Sequence, residues 1–126
     1  SALDSVRRTI RNRAFGRREY PMSHDTPPQL DSLIHEAARL LIVSVLNQCT
    51  VASFGFLLQT TNLTRGNMST HLAKLVEAGY IDEKKEIVGR RPRTEYSLTS
   101  LGKTAFKRYC TDWQQVIDST YVVKDM

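Results

Sequence analysis

Residues 53–79, SFGFLLQTTNLTRGNMSTHLAKLVEAG, decide the fold. Ser53 is a good N-cap, and Phe54, Leu57 and Leu58 follow at helical spacing, so a helix is expected through about Thr60. Thr61-Asn62-Leu63-Thr64 makes a turn. Thr64 then caps a further helix reaching Ala78, whose inward positions are Met68, Leu72, Leu75 and Val76, and Gly79 supplies its stop. Two helices joined by so short a turn form a helix-turn-helix unit.

Upstream, Leu33, Ile34, Ala37, Ala38, Leu41, Ile42, Val45 and Leu46 recur at helical spacing from about Asp31, which predicts a core helix ended by Asn47–Thr50. Thr50-Val51-Ala52 is a short extended candidate. Downstream, Tyr80–Val88 and Thr94–Leu98 read as an antiparallel hairpin, half exposed, with Gly89-Arg90-Arg91-Pro92-Arg93 as its tip. Thr99 caps a last helix to about Val122 with Leu101, Ala105, Phe106, Tyr109, Trp113, Val116, Ile117 and Tyr121 along its apolar side. The fold class is therefore mainly α with a small antiparallel β-wing, a winged helix-turn-helix. Three regions are expected: a basic N-terminal helix and linker over 1–29, the winged core over 30–98, and a C-terminal dimerisation helix over 99–126.

Composition sets the outer bounds. The chain has 126 residues, 40% hydrophobic and 25% charged, with 6 Gly and 4 Pro, as expected of one compact domain. A domain of this size has modest stability unless a partner covers further apolar surface, which makes a dimer worth testing. No window approaches a membrane span, and no signal peptide is seen, so a cytoplasmic protein is expected. Cys49 and Cys110 lie in apolar or aromatic surroundings and read as buried free thiols. Without CxxC or HExxH, and with His24, His35 and His71 scattered, no metal or cofactor is expected. There is no nucleophile beside a base, no phosphate-cradling Gly loop and no paired acids, so an enzyme is not expected.

The net charge of +5 is unevenly placed. Six arginines lie between Arg7 and Arg18, and Lys84, Lys85, Arg90, Arg91 and Arg93 form a second group. Two basic regions around a core-forming stretch fit a polyanion. On the helix after the turn, Thr64, Arg65, Asn67, Ser69, Thr70 and Lys74 lie off the core face. Asn67 can pair bidentately with adenine, Ser69 and Thr70 can reach base edges or phosphates, and Arg65 and Lys74 can neutralise backbone. Gly66 costs roughly 1 kcal/mol of helix propensity against alanine, offset if a phosphate or a neighbouring helix approaches closely; tolerance near the terminus is the plainer reading. Arg90, Arg91 and Arg93 surround Pro92 and are suited to clamp phosphate or enter the minor groove. Lys84 and Lys85 are flanked by Asp82, Glu83 and Glu86, which compensate part of their charge.

TRGNMSTHLAKLVEAGY at 64–80, followed by VGRRPRTEYSLTSLGKTAF at 88–106, resembles the winged-helix transcriptional regulators of the MarR and ArsR families, above all their short single-domain relatives. Ser69-Thr70-His71-Leu72 is similar to the SxHL pattern of the ArsR recognition helix, LVEAGYI at 75–81 to the join into the wing, and LTSLG at 98–102 to the start of the final helix. The resemblance implies sequence-specific binding to double-stranded DNA by a symmetric homodimer on a palindromic operator, with repression as the usual outcome. It places Asn67, Ser69 and Thr70 at base or phosphate contacts and Arg90, Arg91 and Arg93 on the wing, with His71 as a supporting residue. The cysteine-rich ligand motif of metal-sensing ArsR proteins is absent here.

Tyr109, Trp113, Val116, Ile117 and Tyr121 are assigned to dimerisation, while Trp113, Tyr109 and Tyr20 leave a small-molecule effector cleft open as an alternative. Arg7, Arg8, Arg11 and Arg13 are compatible with supporting the last helix, touching flanking DNA, or simple solvation. Two other functions compete: a winged helix that binds protein, which would want an apolar recognition face, and a nonspecific architectural DNA binder. Double-stranded RNA has a major groove too deep and narrow for the reading helix.

Overall fold

The computed structural model describes residues 28–124, with side chains described through residue 118. The expectations for the basic segment at 3–15 and for the Tyr121 side chain fall outside this range. Among the described residues the element order is α1 (Ala37–Gln48), β1 (Ala52–Ser53), α2 (Phe54–Thr61), α3 (Arg65–Glu77), β2 (Ile81–Val88), β3 (Arg91–Leu98) and α4 (Ser100–Lys124). The strands form one antiparallel sheet in the order β1-β3-β2. This is a winged helix: three helices, a two-stranded wing with a short third strand at its base, and a long final helix.

Asp31–Tyr109 makes one compact unit, so the winged unit runs eleven residues past Leu98 into the final helix. From Cys110 onward α4 belongs to a second unit. The core of the winged unit is a single cluster in which Ile42, Val43 and Leu46 of α1, Leu57 of α2, and Met68, Leu72 and Leu75 of α3 meet Ala52, Ile81, Tyr96 and Leu98 of the sheet. Each fully buried side chain of this size contributes about 1.5–3 kcal/mol, so the cluster fixes how α3 is held.

The first helix begins later than its periodicity predicts. Asp31 Oδ1 accepts from the amides of Leu33 (2.9 Å) and Ile34 (3.3 Å), closing a turn that competes with helix. Helix α1 starts only at Ala37, capped by Glu36, whose carboxylate accepts from the amides of Ala38 and Arg39, each at 3.1 Å. Leu33 still packs against this cluster and Ile34 is fully buried, but from the turn rather than the helix. With the helix so placed, Leu41 is 46% exposed and Val43, which the periodic reading omits, is buried.

The α2–α3 and α3–β2 junctions follow the sequence closely. Ser53 Oγ accepts from the Phe56 amide and Thr64 Oγ1 from the Asn67 amide, each at 3.1 Å. Asn62 takes left-handed backbone (φ 63°) between the helices, which lets the chain reverse within three residues. Gly79 does the same at the end of α3 (φ +82°), with the Tyr80 amide bonded to the Leu75 carbonyl and the Gly79 amide to that of Val76. At the next corner Thr99 caps α4, accepting from the Gly102 amide at 3.0 Å. Gly102 is required there: a Cβ would lie 2.1 Å from the Tyr80 carbonyl oxygen. The start of α4 is thus pressed against the backbone where α3 passes into the wing.

Candidate nucleic-acid interface

Helix α3 presents one face to the core and the other outward. Met68, Leu72 and Leu75 are buried, whereas Thr64, Arg65, Gly66, Asn67, Ser69, Thr70, Ala73 and Lys74 are exposed. At 3.6 residues per turn, Gly66, Thr70 and Ala73 form the line opposite the core. Asn67 and Lys74 flank it on one side, Arg65 and Ser69 on the other. A Cβ at Gly66 would meet nothing within 4 Å, so nothing in the fold itself demands glycine there. The line of small side chains lets an external surface come close to the helix, with longer polar groups beside it. Exposed Glu77 closes the line at its C-terminal end with a negative charge.

Two of these residues have work inside the protein. The Thr64 hydroxyl caps α3, so its lone pairs serve the helix first. The Arg65 guanidinium lies over the Phe54 ring, 5.6 Å from its centroid, a cation–π contact that holds the arginine at the entrance to α3. Asn67, Ser69, Thr70 and Lys74 project freely.

His71 faces the other way. Its Nδ1 lies 3.1 Å from Arg39 Nη1 and 3.5 Å from Glu36 Oε2. Because a guanidinium only donates, Nδ1 accepts and the ring proton sits on Nε2 in this arrangement. Arg39 also donates through Nε to the Leu33 carbonyl at 2.5 Å. His71 is therefore a support that ties α3 to the start of α1, as the resemblance suggested. Glu36 and Arg39 complete this brace and were not singled out from the sequence. The available signal was two charged side chains at the start of an otherwise apolar helix. The Ala38 amide, aided by the Arg39 amide and the positive charge of the Arg39 guanidinium, holds the Glu36 carboxyl below its ordinary pKa against the opposing effect of burial.

The wing differs from its expected form. Pairing continues out to Val88↔Arg91, leaving only Gly89-Arg90 as the tip. Arg91, Pro92 and Arg93 are strand residues rather than loop. Gly89 has φ +68° and Arg90 a negative φ, the sign pattern of a two-residue type II′ turn, whose twist suits paired strands. Pro92 is tolerated because the closing pair of such a hairpin is the hydrogen-bonded one, which puts Ile87↔Pro92 at a non-bonded position. Arg90 and Arg91 are exposed and form no ion pair among the described residues, whereas Arg93 Nη2 lies 3.4 Å from Glu95 Oε2. Lys85 is similarly near Glu83 (4.0 Å), so positive charge gathers at the tip and is compensated toward the base.

At the base, the Tyr96 hydroxyl donates to Glu83 Oε2 at 3.0 Å across the strands. Burial, then the bond to Glu83, pushes the Tyr96 pKa up to about 12. At the α3–wing corner the Tyr80 hydroxyl donates to Asp31 Oδ2 at 2.5 Å, and this bond is the main reason that its pKa also rises to about 12.

On α4, Tyr109 is buried in the winged unit, its ring near that of Phe106 and its hydroxyl 2.9 Å from His35 Nδ1. It helps to close the monomer's own core. Trp113 and Ile117 are partly exposed at 41% and 38%, and Val116 is half-buried. Cys49 is half-buried, and Cys110 is exposed rather than buried as expected, being turned outward one position beyond Tyr109. No helix among the described residues is long and apolar enough to cross a membrane.

Residues 38–117 match the family described as winged helix DNA-binding domain. An uncharacterized protein of Methanocaldococcus jannaschii is 34% identical over 77 residues, which span 61% of this chain and 84% of that one. Among solved structures, a transcriptional regulator homologue from Pyrococcus horikoshii superimposes with a TM-score of 0.67 at 29% identity, covering 71% of this chain and 89% of that one. A mutant MarR from E. coli has a TM-score of 0.60 at 14% identity, covering 98% and 81%, a likeness of fold.

Proposed function

The chain belongs to the winged helix DNA-binding domain family, and on that premise we propose that it is a transcriptional regulator that binds double-stranded DNA in a sequence-specific manner. The observation that carries this reading is the exposed polar face of α3, narrow and small along its centre, beside a wing whose tip is basic. The helix lies in the major groove, where Asn67, Ser69 and Thr70 meet base edges while Arg65 and Lys74 meet phosphates. Arg90 and Arg91 reach the adjacent minor groove or its phosphates; Arg93, drawn toward Glu95, contributes less.

The acting species is a homodimer joined through the later part of α4, with Trp113, Val116 and Ile117 in the contact. Trp113 and Ile117, 41% and 38% exposed and one helical turn apart, each leave part of their apolar surface open on α4 and support this. A two-fold dimer reads a palindrome with half-sites about one helical turn apart, and occupation of such a site near a promoter represses transcription.

Selection of genomic fragments with the purified protein at near-physiological salt, read by sequencing, tests the proposal. Recovery of an inverted repeat supports the dimeric regulator. Weak, uniform recovery that vanishes with salt identifies an architectural binder instead, and no recovery moves the function to protein binding. Trp113 is the sole tryptophan, so its emission on dilution reports the dimer directly.

A further inference from the structure

The wing carries apolar surface as well as charge. Strand β2 runs Asp82-Glu83-Lys84-Lys85-Glu86, all charged, and then changes to Ile87-Val88 near the tip. Ile87 is 75% exposed and Val88 52%. Cross-strand pairing puts Ile81↔Leu98, Glu83↔Tyr96, Lys85↔Thr94 and Ile87↔Pro92 on one face. At the base this face is part of the core. At the far end it has left the body of the winged unit, and Ile87 and Pro92 form a bare apolar pair. Exposed β-branched residues on an edge strand invite unwanted pairing, and the charged residues before them show the ordinary defence against it. The switch to apolar residues at the tip thus calls for an occupant.

The surrounding charge identifies that occupant. Between Glu86 and Glu95 there are three arginines and two glutamates; with Arg93 drawn toward Glu95, the free positive charge lies on Arg90 at the turn and on Arg91, which sits opposite Val88 on the other face of the ribbon tip. An apolar pair beside uncompensated arginines matches a surface with apolar walls and anionic rims, as in the minor groove, where deoxyribose lines the walls and phosphates the edges. Apolar side chains recur in proteins that bind there. Ile87 and Pro92 are also stiff, so ordering them on a surface costs little rotamer entropy.

We propose that Ile87 and Pro92 are the apolar contact of the wing with the minor-groove wall, packing on deoxyribose while Arg90 and Arg91 take the groove and its phosphates. This rests on the DNA-binding reading above. It gives the wing an affinity component that salt does not weaken, because apolar contact releases no counterions.

The test compares wild type, Ile87→Ser, Ile87→Leu and Arg90→Ala on the selected DNA site, and on the same site shortened to remove the duplex beneath the wings. Ile87→Ser is expected to bind the full site about ten-fold more weakly with an unchanged salt slope, while Ile87→Leu keeps affinity near wild type. Arg90→Ala should lower the slope. On the shortened site Ile87→Ser should match wild type. Equal affinity of Ile87→Ser and wild type on the full site overturns the proposal, as does an equal loss on both sites, which would place Ile87 in folding or dimerisation. Wild-type affinity for DNA combined with lost binding to phosphatidylserine vesicles overturns it in favour of a membrane surface. If wild type itself selects no DNA, the regulator reading fails first and this inference with it.

Discussion

Helix α3 and the wing hairpin are neighbours with opposite mechanical support. The helix is enclosed: Met68, Leu72 and Leu75 anchor it in the core, and His71 ties it to Arg39 and Glu36. Among the described residues the wing is anchored at its base by Ile81, Leu98, Tyr96 and the Tyr96–Glu83 bond, and beyond Lys85 it rests on strand pairing and the surface pair Arg93–Glu95. Base reading needs atoms placed to within an ångström or so, which packing from several sides provides. A charged ribbon tracking a groove tolerates more movement and can be built from two strands. Damage to the two should therefore separate: injury to the buried side of α3 destabilises the whole fold, whereas injury at the wing tip spares it.

The largest effect expected is from Leu72→Ala. It should cost about 2–5 kcal/mol of stability, measured by urea unfolding, with DNA binding lost in proportion to the unfolded fraction. A variant that stays stable but no longer binds would break the comparison, since it would show α3 disordered in place without loss of the core. At the corner shared by both regions, Gly102→Ala forces a Cβ onto the Tyr80 carbonyl and should cost about 1–3 kcal/mol.

Binding variants sharpen the contrast without touching the core. Asn67→Ala should leave the melting temperature nearly unchanged and reduce discrimination at one base pair by about 1–3 kcal/mol, seen by competition with single-substituted sites. Arg90→Ala with Arg91→Ala should weaken all sequences alike and lower the magnitude of the log K against log salt slope by roughly two if each arginine meets one phosphate. An unchanged slope would remove the tip arginines from the interface.

The smallest effect concerns pH. Both phenol pKa values are raised from 10.0 to about 12, so the folded protein favours neutral Tyr80 and Tyr96. Their contribution is complete below pH 10 and disappears as pH rises through about 12. Phenolate absorbance should show Tyr80 and Tyr96 titrating late, with stability falling over that interval. Tyr96→Phe should remove one of them and lower wing-base stability by about 1 kcal/mol, while Tyr80→Phe acts at the helix corner. Glu36 has the opposite sign: its lowered pKa stabilises the fold above the ordinary carboxyl range, and that part is lost as acid protonates it.

Much of this was legible along the chain because it depends on local chemistry. Ser53, Thr64 and Thr99 cap helices as their types predict, Gly79 ends α3, and the period of Met68, Leu72 and Leu75 gives the outward face by subtraction. Other features depended on residues distant in sequence or on competition between neighbours. Asp31 captures two amides and delays α1 by a turn and a half, although the apolar period runs through unbroken. Arg91, Pro92 and Arg93 have turn-like composition, but cross-strand pairing with Glu86, Ile87 and Val88 makes them strand. Arg93 lost part of its free charge to Glu95, two residues on and on the same face of the strand. Sequence by itself determined the winged helix-turn-helix and the polar face of α3, because caps, glycines and periodicity act within a turn or two of the chain. Only the tertiary structure decided which charges stay free, that Tyr109 closes the monomer's core, and that Ile87 stands bare at the wing, because burial and charge pairing are set by what the fold brings alongside.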